Sequence, residues 1–337
     1  MHPALRTLVS FSGPAGALLL ASCTGSAQPP PAVAQTATGD RPAAPKPEPT
    51  RSDPACLGPL EAPLKLRAAT GTLVLGVLAG LKDSDDDNLA HLKSLAAELQ
   101  RRGAEALVAN GDLGDTVEAQ VALLSALSAT GLPLLVEPGN RELRADLDAA
   151  EAEIRRRGGK LTDLSHTRLV DLGDALLVGL PGGFERKQVR NEGACLYVQR
   201  DLDLLAGLLD RLPPGAVPTI LVAPAPPRGE GPRALDFSEG LNLGDARLGP
   251  LLAAQRAQFG LFGQVWESGG RALDGAGKPL AAGASSAQLY LNPGAADRTA
   301  WPMSDGSTAN GLAALFTLRG RVATFEVVRA PAPVRSP

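Results

Sequence analysis

Leu107-Val108-Ala109-Asn110-Gly111-Asp112-Leu113-Gly114-Asp115 and Leu134-Leu135-Val136-Glu137-Pro138-Gly139-Asn140-Arg141-Glu142 are two apolar runs, each leading directly into a polar glycine turn. A short, nearly continuous apolar run suits a strand buried on both faces, as in a parallel sheet covered by helices. Upstream, Leu73-Val74-Leu75-Gly76-Val77-Leu78 is a third run of this kind. Between the runs lie helix-length segments. One opens at the acidic stretch Asp85-Asp86-Asp87-Asn88, carries Leu89, Leu92, Leu95, Ala96 and Leu99 on one face, and stops at Gly103. Acidic N-terminal residues and a C-terminal glycine are the expected helix boundaries. Helices are likewise predicted over 117–129, 145–157 and 201–211.

Further on the pattern becomes strand-rich. Runs at 168–172 and 175–180 flank Gly173-Asp174, a hairpin signal, and more strands are predicted at 219–222, 288–291, 312–318 and 322–328. Strands alternating with helices imply right-handed crossovers and a mainly parallel sheet, and the later strands a second sheet. That alternation alone is equally compatible with one doubly wound sheet.

The ordered motifs GD-x-x-D and GN-x-E resemble those of the calcineurin-like metallophosphoesterases, and Asn292-Pro293-Gly294 resembles that family's late Asn-Pro-Gly turn. The resemblance spans most of the chain from Leu73 to Val328. It implies an α/β fold, a four-layer αββα sandwich of two mixed sheets flanked by helices, with ligand motifs at the carboxyl ends of the strands. Carried over residue by residue, it puts Asp112 at the carboxylate that bridges two metals and Asn140 at a metal-ligand amide. Elsewhere the family's ligands are replaced. Ala79 and Leu81 stand for an aspartate and a histidine, Arg141 for the acid histidine, Pro224 for the histidine before a Pro-rich turn, and Gln264 and Trp266 for the two histidines after a glycine.

Two divalent ions close together require several carboxylates and imidazoles. Asp112, Asn140 and Gln264 offer one charge and neutral oxygens, so the expected function is a binding or scaffold protein that has lost catalysis, with no cofactor. An Asp112–Arg141 ion pair is expected in place of the missing cations, and Trp266 is expected to fill the space they leave. The alternative is an active phosphoesterase with a reduced site, in which Asp112, Asn140 and carboxylates of the 83–87 loop hold Mn, Fe or Zn. A third reading is a structural protein with a plugged pocket. Asp115 and Glu142 read as acids at helix N-termini. Neither His91 nor His166 falls in a motif, which leaves a histidine-centred triad or zinc site unsupported.

A formal net charge of −3 with no basic stripe excludes a nucleic-acid partner, and 3% aromatic residues leave few stacking platforms. At the N-terminus, a basic lead and an apolar stretch too short to cross a bilayer end in Leu20-Ala21-Ser22-Cys23, which resembles a bacterial lipobox. The expected organisation is a signal peptide over 1–22, a lipidated Cys23 with a Pro/Ala-rich disordered tether over 23–64, a folded domain over 65–330 and a disordered tail over 331–337. The implied setting is the bacterial envelope at the outer membrane, with an envelope protein or small ligand as partner. Cys56 and Cys195 are either a disulfide or two buried thiols.

Overall fold

The computed structural model describes residues 56–212, 217–254 and 256–330. The expected signal peptide, lipidated cysteine and C-terminal tail lie outside them, as does the tether up to residue 55.

Six strands form one sheet in the spatial order Val322–Arg329, Leu312–Arg319, Thr72–Leu78, Ala106–Asn110, Leu134–Glu137, Leu161–Asp163. The last four run parallel, and Leu312–Arg319 joins antiparallel to both its neighbours. The second, eight-stranded sheet is mixed, with Leu176–Gly179, Thr219–Val222, Phe259–Leu261 and Leu289–Asn292 parallel at its centre.

Burial follows the strand alternation. Leu73, Leu75 and Val77 face Leu177, Ile220, Phe259 and Leu291 across the gap between the sheets, and the Phe259 and Phe316 rings meet edge-on at 5.5 Å. The opposite face of the first sheet, with Leu78 and Leu107, packs under helices Asp86–Arg101, Val117–Ser128 and Arg144–Arg156. The outer face of the second, with Leu176, Val178 and Leu221, packs under Gln199–Leu209 and Leu248–Ala253. Helix, sheet, sheet, helix is the expected four-layer sandwich.

The sheets are stitched together at the carboxyl ends of their parallel strands. Buried Asn110 donates from Nδ2 to the carbonyls of Ala223 and Leu261, both at 3.0 Å, so one amide from the first sheet ties down two strand ends of the second. Gly263 follows because there is no room for a side chain: a Cβ there would lie 2.5 Å from the Asn110 oxygen and 2.6 Å from the Ala79 Cβ.

The folded region begins before the expected boundary at 65. Leu64–Lys65 pairs with Leu169–Asp171, the Gly58 amide donates to the Ser165 carbonyl at 2.8 Å, and buried Cys56 forms a disulfide with Cys195, Cα–Cα 5.3 Å. The composition of 56–64 hides this, because the segment is held largely by backbone pairing and one covalent bond, with only Leu57 and Leu60 packing on the core. No helix among the described residues is long and apolar enough to cross a membrane.

The disulfide closes a separation of 139 residues. Removing it should cost about 2–5 kcal/mol, because a long loop regains most chain entropy in the unfolded state. Thermal unfolding should therefore shift downward in reductant. A Cys56→Ser/Cys195→Ser variant should start lower and show no further response.

Candidate functional site

The loops that follow the parallel strands of both sheets converge on one cavity of about 690 Å³. Asp112, Asn140, Arg141, Gln264 and Trp266 all line it, so the structure brings together five of the eight positions singled out in the sequence. The other three do not reach it. Leu81 is buried in the core beneath the helices, and Ala79 is buried with its carbonyl accepting from the Ala296 amide at 2.7 Å. Pro224 is buried against Gly111, its carbonyl accepting from the amides of Gly263 and Gln264.

The floor of the cavity is shaped by backbone geometry. Asp112 takes the left-handed region (φ 54°), and its carbonyl accepts from the amides of Leu81 at 2.9 Å and Lys82 at 3.1 Å. Lys82 (φ 59°) and Glu239 (φ 49°) share this conformation. A side chain in this region costs roughly 1–2 kcal/mol. These are the only non-glycine residues with positive φ among the described ones, and all three line the same cavity.

Glu142 is a correction to its reading as a helix-end acid. It is 1% exposed, and its two oxygens accept from the amides of Leu113 and Gly139, each at 2.6 Å. The carboxylate thus clamps the Gly-Asp turn to the Gly-Asn turn. Asp115 is a second correction. Thr116 caps helix Val117–Ser128, while Asp115 takes a two-pronged bond from Arg141 at 2.9 and 2.6 Å. Arg141 reaches Asp112 only at 3.7 Å, so the expected Asp112–Arg141 pair is present but secondary. Trp266 does not fill the space expected of it. It lines the cavity wall and packs on Trp301 at 4.9 Å between ring centres.

Lys82 is the residue sequence reasoning missed. Its ammonium lies 3.4 Å from the centre of the Trp266 ring and 3.7 Å from that of Trp301, a double cation–π contact. Buried Asn88 holds the loop in place, donating to the carbonyls of Leu81 and Asp83. The available signal was position, since Lys82 is the first charged residue after a strand that ends in the expected site. The acidic run does not enter the cavity: Asp85 caps helix Asp86–Arg101, and Asp85 and Asp87 face Arg298 at 3.5 and 3.4 Å.

Burial dominates the electrostatics. It pushes Asp112 up to about 6 against the pull of Arg141 and Lys82. Burial, and then the charge of Asp112, pushes Glu142 up to about 7. The Lys82 ammonium is brought down to about 8 by burial, opposed by Asp297 and Asp112. Four buried polar atoms around the cavity lack hydrogen-bond partners: Asp112 Oδ1, Gln188 Oε1, Gln264 Oε1 and Trp266 Nε1. Asn140, by contrast, is engaged, its Nδ2 donating to the Gln188 carbonyl and its own carbonyl accepting from the Arg190 amide.

Outside the cavity, Asp148, Asp163 and His166 lie close enough together to hold a cation. The Arg144 guanidinium is already among them, bonded to Asp148, 2.5 Å from Asp163 and 3.2 Å from His166 Nδ1. Neither histidine of the described residues lines the cavity; His91 lies on helix Asp86–Arg101 against Gly311.

No family model matches the chain, and no curated protein matches it. Solved structures do. One aligns over 77% of this chain and 100% of its own at 16% identity, with a TM-score of 0.56. A dimetal phosphatase from Danio rerio aligns over 77% and 99% at 12% identity, with a TM-score of 0.49. GAP50, the anchor in the inner membrane complex of Plasmodium, aligns over 77% and 85% at 12% identity, also with a TM-score of 0.49. The fold is a four-layer αββα sandwich, an architecture shared with the first of these structures. Identities this low establish architecture and leave the reaction open.

Asp112 and Glu142 both hold protons more tightly when folded than at ordinary carboxylate values near 4. Their contribution is therefore full in acid and is lost as pH rises through about 6 to 7. Melting temperature should decline between pH 5 and pH 8. Asp112→Asn, neutral and tolerant of left-handed backbone, should flatten that slope and recover on the order of 2–3 kcal/mol at pH 8. Glu142→Ala should instead destabilise at every pH, by about 1–3 kcal/mol for each buried amide left without an acceptor.

Proposed function

We propose that this chain is a ligand-binding protein built on a metallophosphoesterase-type sandwich, without metal-dependent hydrolysis. The observation that carries the reading is the gathering of Lys82, Asp112 and Glu239, all in left-handed backbone, around one open polar cavity. Unfavourable backbone persists where the surroundings impose it, and it concentrates at sites that bind or react. A structural protein with a plugged pocket has no use for it.

The residues present do not fit a binuclear centre. One buried carboxylate, Asp112, faces the place where the metals of this fold would sit, and it already shares that place with the Arg141 guanidinium and the Lys82 ammonium. Asn140 adds only a neutral amide oxygen, its Nδ2 donating to the Gln188 carbonyl, and the imidazoles are elsewhere. Fixed cations supply countercharge, but they neither polarise a phosphoryl oxygen as a metal does nor generate a hydroxide at neutral pH.

The unpartnered oxygens of Asp112 and Gln264 are the specific observation that favours the competing reading, a phosphoesterase retaining a single Mn, Fe or Zn ion. Elemental analysis of the purified chain should find such metals substoichiometric. A generic phosphodiester incubated with each of them should turn over no faster than with Asp112→Ala. Bound metal at one or more ions per chain, with hydrolysis that depends on Asp112, would defeat the proposal.

The sequence supports placing this protein at the bacterial outer membrane through a lipid on Cys23, presenting the cavity to an envelope protein or small molecule. Cys23→Ala should abolish labelling by palmitate and release the chain from the membrane fraction; unchanged fractionation would remove the anchor from this account.

A further inference from the structure

The charges around the cavity are sorted by the segment that carries them. Arg141, Lys187 and Arg190 ride on one hydrogen-bonded wall. The Arg190 amide donates to the Asn140 carbonyl at 2.9 Å, and Asn191 Nδ2 donates to the Arg141 carbonyl at 2.6 Å. Glu239 and Glu267 ride on another. Glu239 sits in the turn between Phe237–Ser238 and Leu241–Asn242, and Glu267 lies in the short turn Trp266–Ser268. The Ser268 hydroxyl donates to the Phe237 carbonyl at 2.7 Å and joins the two. Between the walls the contact is neutral: Gln188 Nε2 donates to the Leu243 carbonyl at 3.2 Å.

Among the described residues, Arg190, Glu239 and Glu267 form no ion pair. Glu239 stands in left-handed backbone (φ 49°) at the tip of its turn. The floor repeats the division. It carries the Lys82 ammonium and the Asp112 carboxylate, and Asp112 is 95% buried with its Oδ1 3.7 Å from the Arg141 guanidinium.

A simple anion would satisfy the guanidinium wall but face three carboxylates. A simple cation would meet Lys82, Arg141 and Arg190. We propose that the cleft binds a small zwitterion, an oxyanion and a protonated amine on one short skeleton. The acid lies on the Arg141–Arg190 wall and the amine on the Glu239–Glu267 wall. The volume, about 690 Å³, is in the usual range for small-molecule sites. The proposal rests on the reading of this cavity as a binding site and gives that reading a ligand class.

The test is titration calorimetry on the chelator-treated full chain with O-phosphoethanolamine and 4-aminobutyrate, against inorganic phosphate and ethanolamine as the separate halves. At least one zwitterion should bind about tenfold or more tightly than either half. Arg190→Glu and Glu239→Lys, both at exposed positions, should each weaken that binding by about tenfold or more, and Glu239→Lys should leave phosphate alone unaffected or tighter. Phosphate binding as tightly as the zwitterions, no binding by either zwitterion, or an unchanged affinity in Glu239→Lys would each overturn the inference. Release of ethanolamine from O-phosphoethanolamine during the titration would count against the non-hydrolytic reading while leaving the zwitterion site standing.

Discussion

The cavity depends on one buried carboxylate. Glu142 takes the Leu113 and Gly139 amides at 2.6 Å each, and these belong to the two turns that deliver Asp112 and Asn140. The Gly111 amide donates to the Glu137 carbonyl at 2.8 Å and completes the join, while the Asp112 carbonyl gathers the amides of Leu81 and Lys82. Three strand ends are thereby held at fixed separation before any cavity side chain is considered. The clamp has an electrostatic consequence. It brings a desolvated carboxylate next to Asp112, whose charge adds to burial in raising the pKa of Glu142. At Asp112 itself Arg141 and Lys82 oppose the effect of burial, so the two cations stabilise the charge that burial makes harder to hold.

The strands and helices were legible from periodicity, while the choice of two sheets over one came from the order of the glycine-turn motifs. The runs at 73–78, 106–109, 134–137 and 219–222 are buried on both faces and form the centres of the two sheets. The helix with Leu92, Leu95, Ala96 and Leu99 on one face buries those four residues. What was missed is too short to be periodic. Leu64–Lys65, Pro279–Leu280 and the Phe237–Asn242 hairpin consist of two-residue strands, defined by a partner's position in space. The hairpin matters most, because Glu239 at its turn is one of the charged walls of the cavity.

The site was legible in location and only partly in chemistry. Gly-Asp and Gly-Asn turns after buried strands pointed to the right strand ends, since loops at the carboxyl ends of parallel strands converge. Side-chain partners could not be read the same way. Glu142 and Asp115 occupy similar sequence settings, each a few residues from a helix start, yet one is buried as a clamp and the other is a half-exposed partner of Arg141. Lys82 escaped notice because the family alignment drew attention to Ala79 and Leu81, whose side chains turn into the core. The residue beside them carries the charge.

Lysine and arginine supply charge of a different kind from a metal ion. A metal pair is mobile charge that coordinates, exchanges and activates water. An ammonium held over two indole rings is fixed charge, and its position is set by the backbone of its own loop. Burial lowers the pKa of Lys82 to about 8, so it remains largely protonated near neutral pH and keeps opposing the charge of Asp112. A pocket organised this way is preformed in the polypeptide, with its cost carried by left-handed backbone at Lys82, Asp112 and Glu239 and by desolvated carboxylates. Buried Gln264 Oε1 and Trp266 Nε1, left without hydrogen-bond partners, add to that cost at the same strand ends.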